Sequence, residues 1–264
     1  MTAACRALET DRADGLVRDP FAARLAGDRG MAIVRALDRM EIMCFGIAMR
    51  SRYLDQLVLD TVSGQGIATV LSVGSGLDTR PWRLELPAAL RWVEVDFPSM
   101  LDYKDGVMGE IAPKCRRERL AADVNEASGR ESVFAAAGDG PTLMITEGLL
   151  MYLPAQTIEA LAANNAVSHW MLDAVSAEVA RRMRMDSYQA IEKMRAADHL
   201  DGAEILDVLG RHGWSEIRWL SYSADVMQFA AERVFNMFRN VPPEQIPKPM
   251  PAGDPSGVHL FGRG

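Results

Sequence analysis

Cysteine and histidine are scarce in this chain of 264 residues, with three of the first and four of the second. Cys5, Cys44 and Cys115 stand far apart, form no CxxC pair and have no zinc-ligand spacing. A disulfide framework and a structural metal are therefore not expected. A reducing compartment is, with the thiols buried as small apolar side chains. Long apolar runs are missing too; none approaches the ~18 residues that a membrane span needs. The first twelve residues carry acidic side chains and no apolar stretch, which does not suit a signal peptide. A cytoplasmic protein with no membrane partner is expected. Basic charge is also short: 29 Lys and Arg against 36 Asp and Glu leave a net charge of −7. A nucleic-acid partner, which usually needs a basic face, is not expected.

What remains is globular composition, 48% hydrophobic and 25% charged, at a length that suits one large α/β domain spanning 1–264. Up to about residue 64 the periodicity is helical, over Arg24 to Arg39 and Gly46 to Val62, with Asp19-Pro20 marking a helix start; these residues form an N-terminal helical cap. From Ile67 onward, short β-rich runs alternate with helical stretches. The strands are expected at 68–73, 91–96, 119–123, 142–146 and 170–175, and later at 216–222 and 258–261. Strand and helix in alternation predict a mostly parallel, Rossmann-like seven-stranded sheet covered on both faces, its last strand joining at or near an edge. Residues 176–201, rich in Arg and Met, predict a helical lid insertion. Residues 240–257 contain six prolines and predict a long, unpacked loop.

Chemistry is signalled most strongly at Leu71-Ser-Val-Gly-Ser-Gly-Leu-Asp-Thr-Arg80. A β run ends at Val73, and Gly74, Ser75 and Gly76 turn the chain toward a helix. Glycine there permits unusual backbone angles and close approach of a nucleotide-like ligand, although a tight strand-to-helix turn would need it as well. Asp96 ends the next strand, about twenty residues on, where a carboxylate can accept hydrogen bonds from ribose hydroxyls. The third glycine of the dinucleotide fingerprint is replaced by Thr79. Together these features favour a nucleoside ligand without phosphates, S-adenosylmethionine (SAM) above all, over NAD.

The same stretch continues through Trp82-Arg-Leu84, Val93-Glu-Val-Asp-Phe-Pro98 with Lys104, and Thr146-Glu-Gly-Leu-Leu-Met-Tyr-Leu-Pro154. Upstream stand Arg6-Ala-Leu-Glu-Thr10, Asp19-Pro-Phe-Ala22 and Arg50-Ser-Arg-Tyr-Leu-Asp55. From near residue 1 to about 154 the chain resembles the leucine carboxyl methyltransferase family, within the class I SAM-dependent methyltransferases. That family includes phosphatase-methylating enzymes and bacterial small-molecule O-methyltransferases. The resemblance implies that Gly74, Ser75 and Gly76 admit the amino-acid end of SAM and that Asp96 takes its ribose. It implies further that Asp123 and the backbone of Val124 face the adenine, and that Glu147 lies by the ammonium and sulfonium. Arg50 becomes a clamp for the SAM or substrate carboxylate, with Arg52 in reserve. The phosphatase-methylating members carry an N-terminal lysine, where this chain offers only Arg6, so a peptide C-terminus is a poor acceptor.

Each residue has a plainer alternative. Asp78 and Arg80 can cap and brace the helix after the glycine turn, Asp123 can be a solvated strand end, and Arg50 can form a surface ion pair. Glu147, set in an apolar run, would be costly to bury without a cationic partner. A carboxylate acceptor needs no base, whereas a phenol or alcohol does. Of the histidines, His169 and His259 suit structural positions and His212 follows a helix, which leaves His199 as the one candidate base. The expected activity is methyl transfer to a carboxylate of a small-molecule, polyketide-like or aromatic acceptor, with room for a homo-oligomer. The alternatives are a hydroxyl or phenol O-methyltransferase and a SAM-binding cyclase that keeps its methyl. Met183, Met185, Tyr188 and Met194, with Met227, Phe229, Phe235, Met237 and Phe238, would supply apolar surface for core packing or for the acceptor.

Overall fold

The structure, a computed structural model, describes residues 1–37, 40–182, 197–242, 250, 251 and 253–263. Seven strands form one sheet: β1 (Thr69–Val73), β2 (Arg91–Asp96), β3 (Arg116–Ala121), β4 (Thr142–Thr146), β5 (His169–Ala174), β6 (Ser215–Ser221) and β7 (Gly257–Gly262). Their order is β3-β2-β1-β4-β5-β7-β6. The first five run parallel, and β7 lies antiparallel between β5 and β6. The mostly parallel sheet is as expected. The last strand takes the place next to the edge, and β6 is the edge itself.

The central strands β1 and β4 are buried at every position, as strands covered on both faces must be. Their side chains alternate between two cores. Val70, Leu143 and Ile145 join one, and Leu71, Val73 and Met144 the other. The first core is closed by α3 (Met40–Gly64), through Phe45, Met49, Tyr53, Leu54, Leu57 and Val58, and by Val226 and Ala230 of α10 (Val226–Phe238). The second is closed by α6 (Ala127–Ala135), α7 (Ala155–Ala163) and α9 (Gly202–Arg211). The helix α9 starts on a capping box, Asp201 with Glu204, which fixes its first turn.

The N-terminal residues are helical as expected, in α1 (Thr2–Thr10), α2 (Ala22–Arg35) and α3. The helix after the glycine turn, α4 (Arg80–Arg83), is a single turn, with Pro81 in it. α5 (Pro98–Met108) follows β2 and buries Lys104 against Glu94, 2.6 Å apart and both fully inaccessible. β3 begins at Arg116, earlier than expected. Its charged residues conceal it, since they pair across strands and onto α5: Arg117 with Glu94 and Asp105, Glu118 with Arg91. An edge strand can carry such charge. Ending at Ala121, β3 leaves Asp123 in the turn before α6, not at a strand end.

The expected lid begins with α8 (Ala177–Arg182). Met183, Met185, Tyr188 and Met194 lie outside the described residues. The far end of the 240–257 loop is packed, contrary to expectation. Ser256 is fully buried, the Ser176 hydroxyl donates to Asp254 at 2.6 Å, and the Ser256 hydroxyl accepts from Ser176 N–H at 3.0 Å. Among the described residues no helix is long and apolar enough to cross a membrane.

Candidate functional site

The carboxyl ends of β1, β2 and β4 open into a crevice with two compartments that meet at Val73, Gly74 and Tyr152. Ligands of parallel α/β sheets bind at this edge, because the connecting loops diverge there. Gly74 (φ +66°) and Gly76 (φ +46°) both occupy the left-handed region that disfavours a side chain. Gly74 also lies so close to Leu149 that a Cβ would fall 3.1 Å from its methyl.

The first compartment, about 570 Å³, is lined by Asp96, Phe97, Met100, Asp123, Val124 and Leu149 among others. Asp96 accepts Gly76 N–H at 2.7 Å and Phe97 N–H at 2.8 Å, so its carboxylate pins the glycine loop to the end of β2. Asp123 accepts Asn125 N–H at 2.9 Å, and Val124 is buried beside it.

The second compartment, about 280 Å³, is ionic, lined by Arg6, Arg50, Ser75, Asp78, Arg80 and Glu147, with Met1, Thr2, Met43 and Ile47 closing it from α1 and α3. Each Glu147 oxygen takes one guanidinium, Arg50 Nε at 3.0 Å and Arg80 Nη1 at 2.8 Å. Arg50 reaches on to Asp173 at 3.2 Å, whose other oxygen accepts Gly148 N–H at 2.5 Å. Gly148 (φ +59°) is needed here because a Cβ would come within 3.2 Å of the Arg50 guanidinium. Arg80, 2% exposed, also binds Asp55 at 2.8 Å and Asp78 at 3.1 Å. Burial pushes the Glu147 carboxyl up, but Arg80, Arg50 and Arg6 outweigh it and hold it at about 2. Asp78 behaves alike: burial raises it, and Arg80 and Lys104 bring it below its usual range.

The expected residues Gly74, Ser75, Gly76, Asp96, Asp123, Val124, Glu147 and Arg50 thus line one crevice. His199 lines neither compartment. Arg52, the reserve clamp, points away; it is exposed and stacks over Phe229 at 4.7 Å. Two steps along a helix turn a side chain by more than half a circle, so Arg50 and Arg52 cannot share a site. Arg50 is bonded to two acids within the crevice, both only partly exposed, not to a surface partner. Arg80 exceeds the bracing role given it, since it joins four elements. Asp173 was missed, though it carries the signal that marked Asp96 and Glu147, an acid at the carboxyl end of an apolar strand. His169 lies in β5 and His259 in β7, and His212 follows α9; none of the three lines either compartment. His212 Nε2 meets Glu159 at 2.5 Å, and His259 sits between Glu216 and Pro255 O.

Residues 1–166 match the family described as leucine carboxyl methyltransferase. Relatives named as candidate S-adenosyl-L-methionine-dependent methyltransferases include one from Streptomyces coelicolor, 35% identical over 60% of this chain and 59% of that protein. Another, from Mycobacteroides abscessus, is 33% identical over 81% of each. Several of these matches span only 59% of the relative's length. The fold is similar to that of a DUF574 family protein from Streptomyces avermitilis, with TM-score 0.58, 14% identity, and 100% and 97% of the two chains covered. Sheet order and crevice define a mostly parallel, doubly covered α/β fold, with β7 antiparallel between β5 and β6. The chain belongs to the leucine carboxyl methyltransferase family.

The crevice suits S-adenosylmethionine, the molecule for which those relatives are named. Its accessible acids suit ribose hydroxyls and a cationic sulfonium and ammonium. The buried Ser75 hydroxyl, at the rim of the ionic compartment, has no protein partner. Each arginine lining it already bonds an acid or a carbonyl.

Proposed function

We propose that this protein is an O-methyltransferase that uses SAM to esterify a carboxylate on a small-molecule acceptor in the cytoplasm. The observation that carries this reading is the double arginine grip on Glu147. A carboxyl held at about 2 is a poor proton acceptor, because a base works best with a pKa near the operating pH. Asp78, bound to Arg80, is unsuited for the same reason. An acceptor that arrives ionised needs neither, and a carboxylic acid, with a pKa near ~4, does so at neutral pH.

SAM supplies an electrophilic methyl on a positively charged sulfur. The residues of this chain orient and surround it. Gly74, Ser75 and Gly76 let the amino-acid end approach the turn after β1, and Ser75 has a hydroxyl free to donate. Asp96 receives ribose hydroxyls while it holds the loop, and Asp123 with Val124 closes around the adenine. Glu147 offers negative charge to the ammonium and sulfonium. Arg50 spends Nε on Glu147 and Nη1 on Asp173, which leaves Nη2 to bind a carboxylate. His199 keeps no role as a base here.

Methyl-labelled SAM offered with a panel of carboxylic acids and phenols tests the proposal. Label should enter carboxylic acids and be lost from the product in mild base. A base-stable, ether-like product would overturn the ester in favour of a hydroxyl acceptor. Turnover without S-adenosylhomocysteine would point to chemistry that keeps the methyl.

A further inference from the structure

Two of the three cysteines take no part in the crevice yet touch one another. Cys5 lies on α1 and Cys44 on α3, 39 residues apart in sequence, with their sulfurs 2.6 Å apart. Both are buried in a small apolar cluster with Ala4, Val34 and Ile47. Cys115 belongs to a different core, beside the sheet, so the pairing is unambiguous. The thiols sit where two walls of the ionic compartment join. Arg6, next to Cys5, lines it from α1, while Met43 and Ile47, flanking Cys44, line it from α3. Noncovalent contacts hold α1 in place: Arg6 to Asp19 and to the Leu77 carbonyl, Glu9 to Arg233.

We propose that Cys5 and Cys44 form an oxidisable dithiol whose disulfide fastens α1 to α3 and slows passage of the cofactor through the ionic compartment. The oxidant is a peroxide. The Cys44 thiolate attacks one peroxide oxygen, the O–O bond breaks, and the sulfenic acid and one water result. The Cys5 sulfur then attacks the sulfenic sulfur, the S–S bond forms, the S–O bond breaks, and a second water leaves. Two thiols lose two protons and two electrons, and the peroxide is reduced to two waters. The contact between the two thiols favours this order, as it lowers the Cys44 thiol and raises that of Cys5. A disulfide requires sulfurs about 2.05 Å apart, and the two thiols already touch.

The wild-type protein tests this directly. Limited hydrogen peroxide should reduce the thiols titrated in denaturant from three to one, and peptide mass spectrometry should find Cys5 joined to Cys44 with Cys115 free. S-adenosylhomocysteine should leave the oxidised protein at least about threefold more slowly than the reduced one. Dithiothreitol should reverse the change, and Cys44→Ser or Cys5→Ala should abolish it. Three persisting thiols, a bond to Cys115 or a bond between two chains would overturn the dithiol. Equal release rates in both redox states would overturn the gating role. Gating rests on the assigned cofactor, which binding of S-adenosylhomocysteine to the reduced protein checks on its own. Failure to bind would sink both that assignment and the gating, while the thiol titration would still decide the bond.

Discussion

The two compartments of the crevice are built on different principles. The one by Asp96 and Asp123 is made of short-range contacts: each acid bonds backbone N–H groups of its own or the adjoining loop, and the walls are mainly apolar. The one by Glu147 is a charge lattice whose members come from α3, the β1–β2 loop, and the ends of β4 and β5. The first can lose a residue and stay a pocket. The second is more sensitive, because removing one charge leaves several others unpaired and largely shielded from water.

The largest effect should come from Arg80→Leu, which leaves Asp55, Asp78 and Glu147 without their shared cation. Breaking a buried ionic network costs about 3–5 kcal/mol, so the melting temperature should fall by roughly 6–15 °C. A loss no larger than that of a surface pair would erase the contrast between the compartments.

Acid should reveal the same lattice. The Glu147 carboxyl lies at about 2 in the folded protein against an ordinary 4.5, so the folded state binds its proton less readily than the unfolded chain. Its stabilisation is complete above about pH 4.5 and is lost as pH falls toward 2, on the order of 3 kcal/mol at most. Urea midpoints measured across that window should fall steeply in the wild type and less so in Glu147→Gln. Equal slopes would break the account of Glu147.

A smaller change is expected in the other compartment. Asp96→Ala should weaken S-adenosylhomocysteine binding about 10–100-fold in calorimetry while costing only about 1–2 kcal/mol of stability. A folding loss as large as that of Arg80→Leu would show that the two compartments are alike after all. Smallest of all should be Tyr222→Phe. The Tyr222 hydroxyl is buried with no partner, its phenol raised by burial and by Asp173. Deleting a polar atom that makes no hydrogen bond should leave the unfolding midpoint within about 1 kcal/mol of the wild type, or higher. A larger loss would place Tyr222 within the lattice.

Legibility in the sequence follows the same division. Gly74, Gly76 and Asp96 could be read because a glycine turn and an acid about one βα unit later are local signals with a fixed spacing. Glu147 stood out because an acid in an apolar run must have a partner, but the partner could not be named. Arg80 looked like a helix brace, since its bond to Asp78 is two residues long and its bond to Glu147 spans 67. The charged β3 hid its own start for a related reason: its charges are satisfied by β2 and α5, which a linear pattern does not show.

By itself the sequence determined the alternation of strand and helix, the glycine turn, and which strand ends carry acids. These depend on periodicity and on backbone angles, which neighbours in the chain control. Only the tertiary structure decided which arginine meets which acid, that Arg50 faces the crevice while Arg52 does not, and that Cys5 touches Cys44. Charge pairs and thiol contacts act over a few ångströms of space, and nothing in the order of residues measures that distance until the helices are laid on the sheet.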